Sequence, residues 1–135
     1  MKLAVGSDHA GFALKELVKA ELVKLGHEVV DVGTHSGTES VDYPDFSFAV
    51  AEAVAAKSVD LGVVVCATGI GASIAANKVV GARASVVTGD ETARLTRQDN
   101  DSNVLALGSK TAPSAEDALR WMRVWLDTPF AGGRH

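Results

Sequence analysis

Short apolar runs alternate with longer amphipathic segments along the whole chain. Five runs are dominated by valine, leucine and alanine, and successive apolar positions are typical of strands that are buried on both faces of a sheet. The predicted strands are Lys2–Gly6, Glu28–Gly33, Leu61–Val65, Ala82–Val87 and Val104–Leu107.

The segments between these strands have their apolar residues at helical spacing. After the first strand, apolar residues at positions 14, 17, 18, 22 and 25 predict a helix that turns Lys15 and Lys19 toward water and ends at Gly26. The other helices are predicted to begin near Pro44, at Ser73, at Asp90 and after Ser114.

Five strands that alternate with five helices predict an α/β fold. We expect a single domain over residues 1–135, built as a Rossmann-like, doubly wound, five-stranded parallel sheet with helices on both faces. Ligands of such folds bind at the carboxyl ends of the strands. The polar turns after strands one, three and five should therefore converge on one crevice.

The turn after the third strand carries the chemistry of greatest interest. Cys66 ends the strand, and Gly69 and Gly71 allow the backbone to turn tightly and approach a ligand. The small residues from Ser73 onward can begin a helix whose first N–H groups have no partner within the helix, which makes an anion site. A thiol at such a place has its thiolate favoured. The alternative is that Cys66 is only a small buried hydrophobic residue.

Three related motifs are excluded by the residues of this turn. A dinucleotide-binding GxGxxG motif needs a glycine where Ile74 stands, and no GxxxxGK[ST] loop is present. A phosphatase of the Cys-x5-Arg type needs an arginine where Ala72 stands. What remains is a cysteine beside a turn that can stabilise an oxyanion.

Composition narrows the class of protein. The net charge of −4 argues against general nucleic-acid binding, and no apolar run is long enough for a membrane span. The chain opens directly on a strand, without a signal peptide, and its one cysteine cannot form an internal disulfide. We therefore expect a cytoplasmic protein.

Several separated motifs, in order along the full chain, resemble one family of enzymes. They are Gly6–Gly11, Asp42–Pro44, Cys66–Lys78, Arg97–Asp101 and Gly132–His135. Together they resemble ribose-5-phosphate isomerase B and its galactose-6-phosphate isomerase relatives. The resemblance implies interconversion of an aldose phosphate and a ketose phosphate through an enediolate, without metal or organic cofactor. It also implies a homodimer or a dimer of dimers, with each active site between two subunits.

The resemblance assigns roles to particular residues. It implies that Cys66 is the base that moves the proton between C1 and C2, that Thr68 helps to place the substrate, and that Asp99 stands where ring opening takes place. The expected substrate-binding residues are Asp8, His9, Tyr43, Ala67, Gly69, Gly71, Ala72, Ser73 and Asn100, and the expected phosphate-binding residues are His9, Lys110 and Arg134. Some of these residues are expected to come from the partner subunit.

The roles of the polar residues each have a structural alternative. Asp8 can serve only to cap the first helix, and Asn100 only to end a later one. His9 can be an ordinary turn residue, Tyr43 a packing residue, and Lys110 a solvated surface lysine.

One departure from the family pattern bears on the substrate. Asp99 replaces the histidine that the family uses to open the sugar ring. An aspartate of ordinary pKa, near about 3.9, is a poor acid at neutral pH. Either the pKa of Asp99 is raised, or His9 substitutes, or the substrate is already open.

Three functions follow in order of preference. The first is isomerisation of ribose 5-phosphate and ribulose 5-phosphate. The second is isomerisation of a tetrose 4-phosphate, which has no hydroxyl left to close a five-membered ring. The third is a sugar-phosphate sensor without catalytic activity. A flavodoxin-like flavin site is disfavoured because no aromatic residue stands near these turns to stack on a flavin.

Overall fold

The computed structural model describes all residues from 1 to 135 and contains one five-stranded sheet in which every pairing is parallel. The strands are β1 (Lys2–Ser7), β2 (Glu28–Asp31), β3 (Leu61–Cys66), β4 (Ala84–Val86) and β5 (Val104–Gly108), and the helices are α1 (Phe12–Lys24), α2 (Tyr43–Ala55), α3 (Ile70–Ala76), α4 (Asp90–Gln98) and α5 (Ala115–Asp127). The predicted alternation of five strands and five helices is confirmed.

The sheet is covered on both faces, as the apolar strands predicted. One apolar cluster joins α1, α4 and α5 to the sheet, around the fully buried Trp125 and Leu105. A second cluster joins α2 and α3 to the opposite face, around Val50 and Val64. Alternate residues of each central strand therefore belong to different cores, which explains why the sequence of these strands is apolar throughout.

The strand order β2-β1-β3-β5-β4 places the ligand crevice. From β1 the chain passes to β2 on one side of β1, and it then crosses to β3 on the other side. The connections that leave β1 and β3 therefore run in opposite directions. A crevice outside the carboxyl ends of these two strands is the expected binding position in doubly wound sheets. Cys66 ends β3 at this crevice, and Asp8 follows β1 there.

Several predicted boundaries were wrong, and those of β2, β4 and α3 were wrong by two residues or more. β4 begins at Ala84, two residues later than predicted, and the N–H groups at its start donate to side-chain amides: Ala84 N–H donates to Asn77 Oδ1 at 2.8 Å, and Arg83 N–H to Asn103 Oδ1 at 2.7 Å. α3 begins at Ile70, three residues before Ser73, so the glycine-containing turn is itself the first turn of the helix.

The predicted water-facing position of Lys15 was also wrong. Its side chain is completely buried, whereas Leu17 and Leu25 are 46% and 44% exposed. Position 15 lies on the same helical stripe as the buried Val18 and Leu22, and Asp31 at the end of β2 neutralises the lysine. Charged residues recur along all of α1, so the pattern of charges did not distinguish the one lysine that faces the core.

None of the helices is both long enough and apolar enough to cross a membrane.

Candidate active site

The turns after β1, β3 and β5 meet through backbone hydrogen bonds, as predicted. Asp8 N–H donates to Val65 O at 3.3 Å, and Ser109 N–H donates to Cys66 O at 2.9 Å. Lys110 N–H donates to Ala67 O at 2.8 Å. The three turns therefore form one continuous rim around the end of β3.

Cys66 lies at the bottom of this rim. The residue is 4% exposed, and its Sγ accepts a hydrogen bond from Gly69 N–H at 3.2 Å. Gly69 has φ 77°, in the left-handed region, and a Cβ there would come 3.0 Å from the carbonyl carbon of Leu107. Glycine is therefore required at this position for both conformation and space. The resulting turn aims an N–H group at the sulfur, which stabilises negative charge on it.

The first turn of α3 supplies two unpaired donors. Ile70 N–H donates to Thr68 Oγ1 at 3.2 Å, and Ser73 N–H donates to Gly69 O at 3.0 Å. The N–H groups of Gly71 and Ala72 have no partner within the chain. Gly69, Gly71, Ala72 and Ser73 are the expected substrate-binding residues of this turn, and only the N–H groups of Gly71 and Ala72 are free to bind substrate oxygens.

Tyr43 lies beside this turn in the same chain. A Cβ built on Gly71 would come 2.6 Å from Cζ of the tyrosine ring, so the ring rests directly on the glycine. Tyr43 begins α2 and is 39% exposed. The residue thus forms a wall of the crevice next to Cys66 and does not have to be contributed by a partner.

The turn after β1 brings a carboxylate and an imidazole to the crevice. Asp8 is 7% exposed, and its Oδ1 accepts a hydrogen bond from Gly11 N–H at 2.9 Å. The carboxylate therefore stabilises the turn before α1, as the structural alternative predicted, while Oδ2 has no partner. The ring of His9 is held at Nδ1 by the backbone of Val41, with Val41 N–H at 3.1 Å, and its Nε2 is unpaired.

The turn after β5 places a cation at the same rim. A Cβ on Gly108 would come 2.6 Å from Thr68 O, so this turn is pressed against the Cys66 turn. Lys110 is exposed, and its ammonium forms no ion pair. It is available to an anionic ligand.

Three of the predicted site residues lie elsewhere in the chain. Asp99 and Asn100 follow α4, whose nine residues span about 13 Å and carry the chain from the carboxyl end of β4 back to the amino end of β5. Arg134 lies near them, because Ala131 N–H donates to Gln98 O at 3.0 Å. Within one chain, these three residues therefore lie at the opposite end of the sheet from Cys66.

Two groups of neighbouring charges were missed in the sequence. Lys15 Nζ donates to both carboxylate oxygens of Asp31 at 2.9 Å and to Thr34 O, while Thr34 N–H donates to Ser7 O at 2.8 Å. This ion pair thereby fixes the segment that flanks the end of β1. The position of Asp31 within an apolar strand could have indicated this ion pair, because a carboxylate in such a strand needs a cation.

The ion pair also shifts pKa values. Partial burial acts to raise the pKa of Asp31, but hydrogen bonds from Lys19, Lys15 and Gly33 N–H outweigh it and lower the pKa below 3.8. The same contact with Asp31 raises the pKa of Lys19.

The second missed group is at the end of the chain. His135 Nε2 lies 3.6 Å from Asp99 Oδ1. No group of three or more His, Cys, Asp or Glu side chains is arranged to hold a metal ion.

Comparison with known proteins gives the same fold over nearly the whole chain. The structure of ribose-5-phosphate isomerase B from Clostridium thermocellum is 51% identical, has a TM-score of 0.97, and the match covers 100% of this chain and 90% of that one. The structure of the Mycoplasma genitalium enzyme with bound ribulose-5-phosphate is 38% identical, has a TM-score of 0.95, and the match covers 99% of this chain and 88% of that one.

Sequence comparison agrees with the structural matches. Ribose-5-phosphate isomerase B of Escherichia coli is 48% identical over 134 residues, which make up 99% of this chain and 89% of that protein. The ribose/galactose isomerase family model matches residues 3–135. The resemblance seen in the motifs is thereby confirmed, and the chain belongs to the ribose/galactose isomerase family.

Proposed function

We propose that this protein interconverts ribose 5-phosphate and ribulose 5-phosphate, with Cys66 as the base. Its family confirms the predicted class, an aldose–ketose isomerase. The observation that carries the proposal is the geometry around Cys66: a buried sulfur that accepts a hydrogen bond from Gly69 N–H, beside two unpaired backbone donors. The M. genitalium relative that holds ribulose-5-phosphate supports the choice of sugar.

The reaction moves a proton between C2 of the aldose and C1 of the ketose. Cys66 as thiolate takes the C2 proton, and the carbonyl oxygen at C1 gains negative charge. The Cys66 thiol then returns the proton to C1 of the enediolate while the hydroxyl proton on O2 passes to O1, which leaves the carbonyl at C2. The free N–H groups of Gly71 and Ala72 donate to the enediolate oxygens. Loss of one such donor typically costs about 10²–10³ in rate.

The rest of the rim binds the sugar phosphate. Thr68 and the free oxygen of Asp8 bind hydroxyl groups, while Ala67, Ser73 and Tyr43 shape the crevice. Lys110 and His9 Nε2 provide positive charge and a donor for the phosphate. These two side chains lie on the same rim as Cys66 and have these groups unpaired.

The site is completed by a second copy of the chain. Asp99, Asn100 and Arg134 lie at the opposite end of the sheet from Cys66, so they reach a Cys66 crevice only in a partner subunit. Exposed apolar residues on α3 support such a contact, because Ile70 and Ile74, next to the catalytic turn, are 53% and 56% exposed. We propose a homodimer, which can pair further into a dimer of dimers.

The wider setting follows from composition and chemistry. A sugar-phosphate isomerase of this kind acts on a metabolite, needs no cofactor for a proton shift, and belongs in the cytoplasm. The net charge of −4 and the single cysteine support this setting.

A tetrose 4-phosphate is the second candidate substrate, favoured by Asp99 at the position of the ring-opening histidine. Steady-state kcat/KM on ribose 5-phosphate and on erythrose 4-phosphate decides between them, with Asp99→His measured alongside and Cys66→Ala as the control for contaminating activity. The proposal predicts that ribose 5-phosphate is the better substrate of the natural chain. A preference for erythrose 4-phosphate, with ribose 5-phosphate activity gained in Asp99→His, would contradict it.

A further inference from the structure

We propose that His135 is the acid–base group that opens the ring of ribose 5-phosphate, and that Asp99 is a positioning residue that holds its imidazole. The inference rests on the proposed function, and it explains how that function is compatible with an aspartate at position 99. It assigns a catalytic role to a residue outside the set identified from the sequence.

The two side chains face each other at the carboxyl end of α4. His135 Nε2 lies 3.6 Å from Asp99 Oδ1, and the side chains are 35% and 30% exposed, so both are partly shielded and both are reachable by a ligand. Gln98 Nε2 donates to the same Oδ1 at 3.5 Å. Nδ1 of His135 has no partner within the chain and is the nitrogen left for a substrate.

The end of the chain is fastened in this position. Ala131 N–H donates to Gln98 O at 3.0 Å, and Arg97 Nε donates to Thr128 O at 3.4 Å. Gly132 and Gly133 have φ 71° and 66°, and this left-handed pair turns the chain back toward α4. The position of His135 next to Asp99 is therefore a consequence of the fold of residues 128–135.

Ring opening needs a group that both accepts and returns a proton. In the furanose form of ribose 5-phosphate, Nδ1 takes the proton of the hydroxyl on C1, the bond between C1 and O4 breaks as the C1 carbonyl forms, and the same proton passes to O4. The imidazole ends the step neutral, and no other reactant is consumed. An imidazole suits this exchange because it can both accept and return a proton at neutral pH, whereas a carboxylate of ordinary pKa can accept the proton but is a poor acid for returning it.

Asp99 makes the imidazole suited to this task. A carboxylate that faces one ring nitrogen orients the ring, and it stabilises the positive charge that the ring carries between the two proton transfers. Neither neighbouring arginine takes the carboxylate of Asp99 away from His135. Arg97 is paired with Asp101 at 2.9 Å, and Arg134 forms no ion pair within the chain. Asp99 and Asn100 share one short segment, so His135 enters the partner's crevice together with them.

The test separates ring opening from the proton transfer that follows it. Ribulose 5-phosphate cannot form a five-membered ring, because its O5 carries the phosphate. Exchange of its C1 hydrogen with deuterated water, followed by NMR, therefore reports only enediolate formation. Conversion of ribose 5-phosphate to ribulose 5-phosphate reports ring opening as well.

For His135→Gln we expect conversion of ribose 5-phosphate to fall by at least about 100-fold, which is the lower range for loss of an acid–base group. Its rate should no longer rise with enzyme concentration once spontaneous ring opening limits it. Exchange at C1 of ribulose 5-phosphate should stay within about threefold of the natural protein. Asp99→Asn should show the same split to a smaller degree, and His35→Gln, which alters a 75% exposed histidine, should change neither rate.

A rescue variant guards against a purely structural effect. Asp99→His combined with His135→Gln returns an imidazole to the same place and should recover conversion of ribose 5-phosphate. Equal loss of conversion and exchange in His135→Gln would overturn the inference, as would no loss of either. Absence of exchange in the natural protein would contradict the proposed function itself, and the inference would fall with it.

Discussion

The ring of Tyr43 rests on the backbone of Gly71 in the same chain, with 2.6 Å between Cζ of the ring and the place where a Cβ would lie. This contact joins the start of α2 to the first turn of α3. Gly71 also carries one of the two unpaired N–H groups beside Cys66. Because residue 71 has no side chain, the tyrosine ring can line the crevice there, and the proposed oxyanion donor keeps its position.

Gly71→Ala should damage both stability and activity. The added methyl group must displace the tyrosine ring or the helix, which typically costs about 1–3 kcal/mol in the free energy of unfolding. Movement of the N–H donor should lower kcat/KM on ribose 5-phosphate by about 10²-fold. Urea unfolding and steady-state kinetics measure the two effects.

A double variant shows whether the clash with Tyr43 is the cause. In a Tyr43→Ala background the space is free, so Gly71→Ala should there cost much less stability than in the natural protein. Equal costs in the two backgrounds would show that the contact with the ring does not limit residue 71.

Shared sites predict complementation between inactive subunits. In a mixed dimer of Cys66→Ala and Arg134→Ala chains, one of the two sites combines a natural Cys66 with a natural Arg134 from the other chain. Each mixed dimer should therefore have up to about half of the activity of a natural dimer, because one of its two sites is intact. Activity is measured after subunit exchange, with tagged chains to prove that mixed dimers formed.

Tyr43 provides the matched control for this experiment. Because Tyr43 and Cys66 lie in the same half of the site, mixed dimers of Cys66→Ala and Tyr43→Ala chains contain no site with both natural residues. Their activity should not exceed that of the Tyr43→Ala subunits alone. Recovery in this control, or none in verified Cys66/Arg134 hybrids, would contradict the proposed arrangement.

The buried ion pair of Lys15 and Asp31 predicts a pH-dependent stability. Asp31→Asn leaves Lys15 buried without a counter-charge and should destabilise the fold by about 3 kcal/mol at pH 7. Since the pKa of Asp31 is lowered in the folded chain, its stabilising effect is present above the unfolded value of 3.8 and is lost as the pH falls below it. The difference in urea midpoint between the natural protein and Asp31→Asn should therefore shrink between pH 7 and pH 3.

Lys19 is the control for this pair. It contacts the same carboxylate at 2.8 Å but is 32% exposed, so Lys19→Gln should cost only about 0.2–1 kcal/mol. A loss as large for Lys19→Gln as for Asp31→Asn would mean that burial of Lys15 does not set the cost.

Much of the fold could be predicted because each strand is apolar on both faces and each helix has local signals. α4 begins at Asp90, as predicted, and Gly26 follows α1 with φ 90°, as its C′ role requires. Lys15 could not be placed from α1 alone, because its partner Asp31 belongs to another element. Burial of a charge depends on a contact that sequence periodicity does not contain.

The candidate site was predictable in part for the same reason. The turns after β1, β3 and β5 follow from parallel topology, which brings their carboxyl ends together. The same topology places Asp99 at the other end of the sheet, since a residue that ends a crossover helix precedes the next strand. The contact of His135 with Asp99 depends on the path of the last eight residues, for which the sequence offers only the two glycines as a signal.

Exchange of the C1 hydrogen of ribulose 5-phosphate with deuterated water in Cys66→Ala shows whether Cys66 moves the proton. Calorimetric binding of ribulose 5-phosphate to the same variant shows that the crevice is intact. If Cys66 is the base, exchange and isomerisation should both fall by about 10²–10⁴-fold, the usual contribution of a general base, while binding changes little. Exchange at the natural rate in Cys66→Ala would mean that another group is the base.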